Sequence, residues 1–282
     1  MKLALGTVQF GVNYGINNKL GIPNDNDVSE ILKYAYENGI KTLDTAISYG
    51  NSEERIGKCS KNKFKIISKF SSIDSLAQLE SELEKSLFNL KTNKLFGFIY
   101  HNANDLINKP YTWQFLMKLK HSQKIEKIGF SIYSEDQLNK LFNLGFIPDL
   151  VQLPYSILDR RMENSLVKLK KYGVETHTRS VFLQGLYFKS THNIPKKLKT
   201  LKPYLKRLNS ICLNNNISMS SLALNFVNQN KYVDKIVIGA ESIEQLKENI
   251  DCIDSNLDIN ILELISHINV KEKELLNPVN WN

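Results

Sequence analysis

Short apolar runs recur along this chain, and nearly every one is followed at once by a longer amphipathic stretch. The runs are LALGT (3–7), IKTLD (40–44), FKIISK (64–69), LFGFIYH (95–101), KIGFSIY (127–133), DLVQL (149–153), VETHTRS (174–180) and KIVIGA (235–240). Apolar residues at helical spacing predict helices over 27–39, from Ser52, and over 74–90, 111–122, 134–144, 161–172, 200–215 and 218–229, then from Ser242 and over 258–268. Asn24, Asp25 and Asn26 are cap candidates for the first helix, Gly39 is its stop, and Ser134 caps a later one. Strands that alternate with helices predict βαβ units and a parallel sheet. Eight such units in 282 residues predict an α/β chain folded as a (β/α)8 TIM barrel, one domain over residues 1–282. The competing fold, a doubly wound open sheet, usually places a GxGxxG turn after its first strand. Here the first strand runs into GTVQFGVNYG. The segment 181–199 is the longest irregular stretch, and it is expected to form a functional loop at the barrel mouth.

Composition narrows the function classes. The chain is 42% hydrophobic and 23% charged, an ordinary globular balance. No apolar run reaches the 18 or so residues of a membrane-spanning helix, and MKLALGTVQFG lacks an apolar h-region with a cleavage site, so a cytoplasmic protein is expected. Cys59, Cys212 and Cys252 are far apart and form no CxxC pair, so neither a disulfide framework nor a metal site is expected. The net charge of +8 suits an anionic ligand such as a nucleotide. The densest basic patch, PKKLKTLKPYLKR (195–207), is spaced like the solvated face of a helix, and no nucleic-acid-binding module accompanies it. Neither nucleic acid nor a membrane is an expected partner.

Barrel active sites lie at the C-terminal ends of the strands. The second run ends in Asp44, the third in Lys69 and the fourth in His101, and Tyr49 lies in the loop after the second. Adjacent strands are about 4.8 Å apart, so these four side chains can converge. Asp44, which otherwise leaves a carboxylate unpaired at the end of an apolar run, can pair with Lys69. A lysine cation beside a phenol is expected to lower its pKa. His101 can donate to a substrate oxygen, and the group as a whole suits proton transfer to a carbonyl or from an alcohol. Each residue alone has a plainer explanation: Tyr49 as packing, Lys69 as a cation reaching solvent, His101 as a satisfied core histidine, Asp44 as a turn cap. Their joint placement at three consecutive strand ends is what favours chemistry.

LDTAISYGNSEERIG (43–57) resembles the D-T-A-x-x-Y-G-x-S-E-x-x-I-G signature of the aldo/keto reductase superfamily, and the likeness runs from LGTVQFG to IVIGAESIEQLKEN and the closing NPVNW. The resemblance implies a catalytic tetrad of Asp44, Tyr49, Lys69 and His101. It also implies a nicotinamide cofactor, NADP or NAD, bound without a Gly-rich motif. Ser131 and Gln152 match the family's carboxamide binders, although Ile132 stands where an asparagine is frequent. Arg179 stands where the family often stacks an aromatic residue on the nicotinamide, and the loop from Ser180 is expected to line the pyrophosphate. Many members grip the 2′-phosphate of NADP with a Lys and an Arg; this chain has Gly239 and Gln245 there, with Glu241 close by. Ser242, Glu248 and Asn249 match the remaining adenosine contacts, and a helix start at Ser242 can receive phosphate on its backbone N–H groups.

The expected activity is NAD(P)H-dependent reduction of a small aldehyde or ketone. GTVQFGVNYGINN resembles bacterial members associated with sugar metabolism, which suggests a sugar-derived carbonyl. Two rivals remain open from the sequence. One is a barrel aldolase with Lys69 as its Schiff-base amine; the other is a non-catalytic, nucleotide-sensing barrel protein.

Overall fold

The computed structural model describes residues 1–60, 63–253 and 256–281, and every expected site residue lies within them. Eight parallel strands close on one another in chain order: β1 (Leu3–Gly6), β2 (Thr42–Asp44), β3 (Lys65–Phe70), β4 (Leu95–Tyr100), β5 (Ile125–Ser131), β6 (Leu150–Pro154), β7 (Glu175–Arg179) and β8 (Lys235–Gly239). The predicted (β/α)8 barrel is the fold found. Helices α1 (Asp25–Glu37), α2 (Ser52–Cys59), α3 (Leu76–Leu90), α4 (Ala103–Asn108), α5 (Tyr111–His121), α6 (Glu135–Asn143), α7 (Glu163–Lys171), α8 (Lys202–Asn214), α9 (Met219–Asn228), α10 (Ile243–Cys252) and α11 (Ile259–Ser266) accompany the strands. Among the described residues, no helix is long and apolar enough to cross a membrane.

Every residue of β4 is buried, as a strand covered on both faces requires. The main core lies between sheet and helices, where Leu32, Leu83, Leu116, Leu141 and Leu166 pack on the strands. Ile67 lies two positions before Lys69 on the same face of β3, and it packs with Phe96, Ile99 and Leu150 in a small separate cluster. That cluster fills the barrel beneath the site.

The helix starts follow side-chain chemistry. Asn24 Oδ1 accepts from the backbone of Asn26 and Asp27, and Asp27 returns a bond to the Asn24 N–H, so α1 opens two residues before the expected start. Ser134 Oγ accepts from Gln137 N at 3.3 Å, the expected cap. Four expected strand ends shorten by one residue: β1 stops at Gly6 before Thr7, β4 at Tyr100 before His101, β8 at Gly239 before Ala240, and β7 at Arg179, where Ser180 takes a φ of +64°. The loop expected over 181–199 contains a 3-10 segment at Leu183–Phe188, and a second one at Lys196–Leu201 runs into α8. The basic patch shows the expected amphipathic pattern, with Leu198, Leu201, Leu205 and Leu208 buried. The short α4 and the 3-10 turns at Lys273–Leu276 and Pro278–Trp281 gave no periodic signal in the sequence.

The loop after β1 is held against the barrel mouth by a tight backbone approach. Gly50 has a φ of +58°, and a Cβ there would meet Gly11 O at 2.4 Å. Gly50→Ala therefore combines left-handed strain with a clash against backbone, and it is expected to cost about 1–3 kcal/mol or more. Urea unfolding checks this; an unchanged midpoint would show that the two loops are not in such contact.

Candidate active site

Residues 43–57 build the floor and one wall of the site. In register, Asp44 faces Ile67 across β2 and β3, and Lys69 lies two residues further on along the same face. The Lys69 Nζ reaches back to donate to Asp44 Oδ2 at 2.7 Å and to Thr45 O at 2.7 Å. Asp44 Oδ1 accepts from Gln152 Nε2 at 2.7 Å. Both charges are nearly closed off from solvent, Lys69 at 1% and Asp44 at 4% exposure. The sequence-expected pairing is thus present, and Gln152 joins it from the opposite side of the barrel.

Tyr49 and His101 come from the loops above this pair. Their rings meet edge to face with centroids 5.6 Å apart, and Lys69 Nζ lies 5.1 Å from the Tyr49 ring centroid. The Tyr49 hydroxyl has no hydrogen-bond partner among the described residues, and Tyr49 lines the cavity. His101 Nδ1 is 3.2 Å from Ser48 Oγ. Burial pushes the His101 ring down to about 4, with the Lys69 charge acting in the same direction. The lysine was expected to lower the phenol of Tyr49. Burial instead pushes it well above its ordinary value, and the Asp44 charge adds to the rise. Asp44 takes up the lysine's charge at close range, so the phenol feels mainly its own desolvation.

The rest of the signature is scaffold. Ser52 is fully buried; its Oγ donates to Thr7 O at 2.9 Å and lies 3.0 Å from Thr7 Oγ1 and 3.2 Å from Thr45 Oγ1. Glu53 is buried on the outer side and accepts from Ser68 at 2.6 Å and Ser86 at 3.3 Å. Arg55, which sequence reasoning passed over, pairs with Asp25 at 2.6 Å and donates to the carbonyls of Phe10 and Pro23 at 2.5 Å each. It anchors the start and end of the loop between β1 and α1.

A cavity of about 990 Å³ opens above the four residues. Asp44, Tyr49 and His101 line one end. Ser131, Gln152, Arg179 and Ser180 follow, and Gly239, Glu241, Gln245, Glu248 and Asn249 line the other end. Ser131 and Gln152 face each other across β5 and β6. Ser242 caps α10 by accepting from Gln245 N at 3.4 Å. Gln245 also caps the Glu241 N–H at 3.0 Å, and Glu248 is held by Ser220 Oγ at 2.8 Å. At Gly239 an added Cβ would fall 2.4 Å from Gln9 Nε2, so Gln9 fills the place of a side chain there. Gln9, Tyr14, Ser48, Tyr133 and Trp281 line the same cavity without having been singled out by sequence. They sit in loops or past the last helix, where no periodicity points to them.

The cavity fits a nicotinamide dinucleotide. Its volume is at the upper end of the range for cofactor sites. It runs from the Tyr49 end to the start of α10, and Gln9 Oε1 on its wall is buried with no partner among the described residues. Arg179 and the α10 terminus supply positive potential for an anionic ligand.

A closed parallel barrel with a buried ion pair, a phenol and an imidazole at the C-terminal mouth defines an enzyme-type (β/α)8 barrel. The aldo/keto reductase family model matches residues 2–270, and the chain belongs to that family. It is 28% identical over 157 residues to the NADH-specific methylglyoxal reductase of Escherichia coli (strain K12), which covers 50% of this chain and 48% of that protein. It is also 28% identical over 158 residues to the aldo-keto reductase YhdN of Bacillus subtilis (strain 168), covering 50% and 47%. The chain thus spans about half the length of these two curated relatives. Among solved structures, the holo form of aldo-keto reductase AKR11C1 from Bacillus halodurans superposes with a TM-score of 0.78 at 21% identity, over 96% of this chain and 94% of that one. The glycerol dehydrogenase AKR11B4 from Gluconobacter oxydans superposes at 0.77 and 19% identity, over 100% and 93%. These two likenesses establish the fold.

The His101 ring is expected to titrate near pH 4 rather than its ordinary 6.5. Between those values the unfolded chain binds more protons than the folded one, so stability is expected to fall as pH drops through that window. An NMR titration of the ring checks the value. His101→Gln should flatten the loss of thermal stability between pH 6.5 and 4; an unchanged slope would place the acid sensitivity elsewhere.

Proposed function

We propose that this protein is an NAD(P)H-dependent oxidoreductase that reduces a small aldehyde or ketone to an alcohol. The observation that carries this reading is the convergence of Tyr49, His101 and the Lys69–Asp44 pair at one end of a dinucleotide-sized cavity. A reduced nicotinamide held in this cavity would supply the hydride for the carbonyl carbon. Tyr49 donates its phenolic proton to the oxygen as negative charge builds there. Its raised pKa keeps that proton in place across the physiological range. His101, neutral at pH 7, donates a second hydrogen bond to the same oxygen through Nε2 when Ser48 donates to Nδ1. Lys69, held by Asp44 and Thr45 O, lies 5.1 Å from the phenol ring centroid and, being paired with a carboxylate, offsets only part of the charge left on the phenolate. Ser131 and Gln152 would hold the carboxamide, and Ser180, Ser242, Glu248 and Asn249 the remainder of the cofactor. Because Lys69 is bonded to a carboxylate and to a carbonyl, it is poorly disposed as a Schiff-base nucleophile.

Tyr49→Phe removes only the hydroxyl. Its fold and cofactor affinity should survive, while kcat falls by about 10²–10⁴-fold or more. Retention of most activity on a good carbonyl substrate would rule out Tyr49 as the acid.

NADH is the proposed cofactor, or is used alongside NADPH. Gln9 occupies the space above Gly239, Gln245 is engaged with the Glu241 backbone, and the Glu241 carboxylate would repel a 2′-phosphate. The NADH-specific relative in Escherichia coli supports this reading. Dissociation constants at fixed salt test it. Glu241→Lys should move the preference toward NADPH, whereas a wild-type preference for NADPH above about 100-fold, near 2.7 kcal/mol, would sink the assignment.

A further inference from the structure

We infer that Arg179 makes the site discriminate between the two redox states of its nicotinamide cofactor, retaining the reduced form and expelling the oxidised one. This rests on the cofactor reading above. Arg179 ends β7, opposite Pro154 of β6. Its Nη2 donates to Ile132 O at 3.3 Å, its Nη1 to Ser180 Oγ at 3.5 Å, and its guanidinium carbon lies 4.1 Å from the Tyr133 ring centroid. The side chain thus spans from β7 to the residue that follows Ser131, beside the pair proposed to hold the carboxamide.

Arg179 also lines the cavity, and among the described residues no carboxylate lies within ion-pair distance of it. Asp44, a buried carboxylate lining the same cavity, is already bonded to Lys69 and Gln152. The Arg179 charge therefore stays largely uncompensated, and it acts on Tyr14, Tyr49, Lys69 and His101 alike. An aromatic residue in this position would stack on either form of the ring. A guanidinium plane can stack as well, but it adds a charge. The dihydronicotinamide ring is neutral and the oxidised ring carries a positive charge, so only the oxidised form is repelled. Each hydride transfer then creates, beside Arg179, the charge that weakens the hold on the spent cofactor. The same electrostatics disfavour the reverse reaction, which must begin by binding the oxidised form.

The test compares dissociation constants for the reduced cofactor, the oxidised cofactor and ADP-ribose at fixed ionic strength, using whichever of the NAD or NADP pairs binds. Wild type, Arg179→Met, Arg179→Gln and Arg179→Lys are measured in parallel. The wild type should favour the reduced form. The neutral variants should lower the oxidised-to-reduced ratio of dissociation constants by about tenfold, with ADP-ribose affinity unchanged, and the lysine variant should keep most of the preference. About tenfold corresponds to about 30 mV in the potential of the bound two-electron couple. Two folded neutral variants with an unchanged ratio would overturn the inference. So would a loss of ADP-ribose affinity parallel to that of the reduced cofactor, which would make Arg179 a pyrophosphate clamp. Failure of the wild type to bind any of these nucleotides would instead overturn the cofactor reading, and this inference with it.

Discussion

The buried ion pair of Asp44 and Lys69 is the interaction on which the barrel mouth depends. Taking two charges out of water costs several kcal/mol each, and their attraction offsets this only when the remaining donors and acceptors are also satisfied. Here each partner has a further bond: Asp44 accepts from Gln152, and Lys69 donates to Thr45 O. These bonds tie the ends of β2 and β3 to β6 on the far side of the barrel. Thr7 adds β1, donating both its N–H and its hydroxyl to Asp44 O. Removing one charge would leave the other buried and alone, at a cost of about 3–5 kcal/mol. Variants at either position therefore report on folding as well as chemistry, which is why Tyr49, with its hydroxyl free at the cavity edge, is the cleaner probe.

The pair also sets the electrostatics above it. A lone lysine under a phenol would lower its pKa, but one bonded to a carboxylate presents little net charge at a distance. Desolvation then governs Tyr49, and the phenol is a firmly protonated donor. At the barrel base a second cluster follows the same logic. Glu175 lies 2.7 Å from His177 Nε2 and also pairs with Lys127. Burial alone would raise the Glu175 carboxyl, but the bonds from His177 and Lys127 hold it down to about 2.

What was legible in the sequence follows from which features have a period. Strand and helix alternation reports burial and fixed the barrel. The run ending in Asp44 demanded a counter-charge, and topology left Lys69 as its nearest partner. The signature motif was legible as a site, but much of it serves the loops: Ser52, Glu53, Arg55 and Gly50 position backbone. Arg55 looked like an ordinary charge on a helix, since nothing local reveals that the carbonyls of Phe10 and Pro23, 45 and 32 residues away, converge on it. The Glu175 cluster was invisible for the same reason, with Lys127 48 residues from Glu175.

The least legible part is the far end of the cavity, because a loop without period assembles it. Ile16 N donates to Gln184 O at 3.2 Å, Lys189 Nζ donates to Ile16 O at 2.6 Å, and Gln184 Nε2 donates to Tyr14 OH at 2.7 Å. Glu241 lies against the same segment, an added Cβ at Gly15 falling 3.9 Å from its Oε1, and burial raises its carboxyl. The segment from Tyr14 to Ile16 is thus tied to the loop after β7 and passes beside the turn before α10. Read alone, Glu241 was only a charge near an expected phosphate; in the fold it also lies beside the loop that roofs the cavity and pairs with Gln245 Nε2 at 3.4 Å. Under the proposed cofactor reading, a carboxylate held in this corner would disfavour a 2′-phosphate more sharply than one free to swing into solvent.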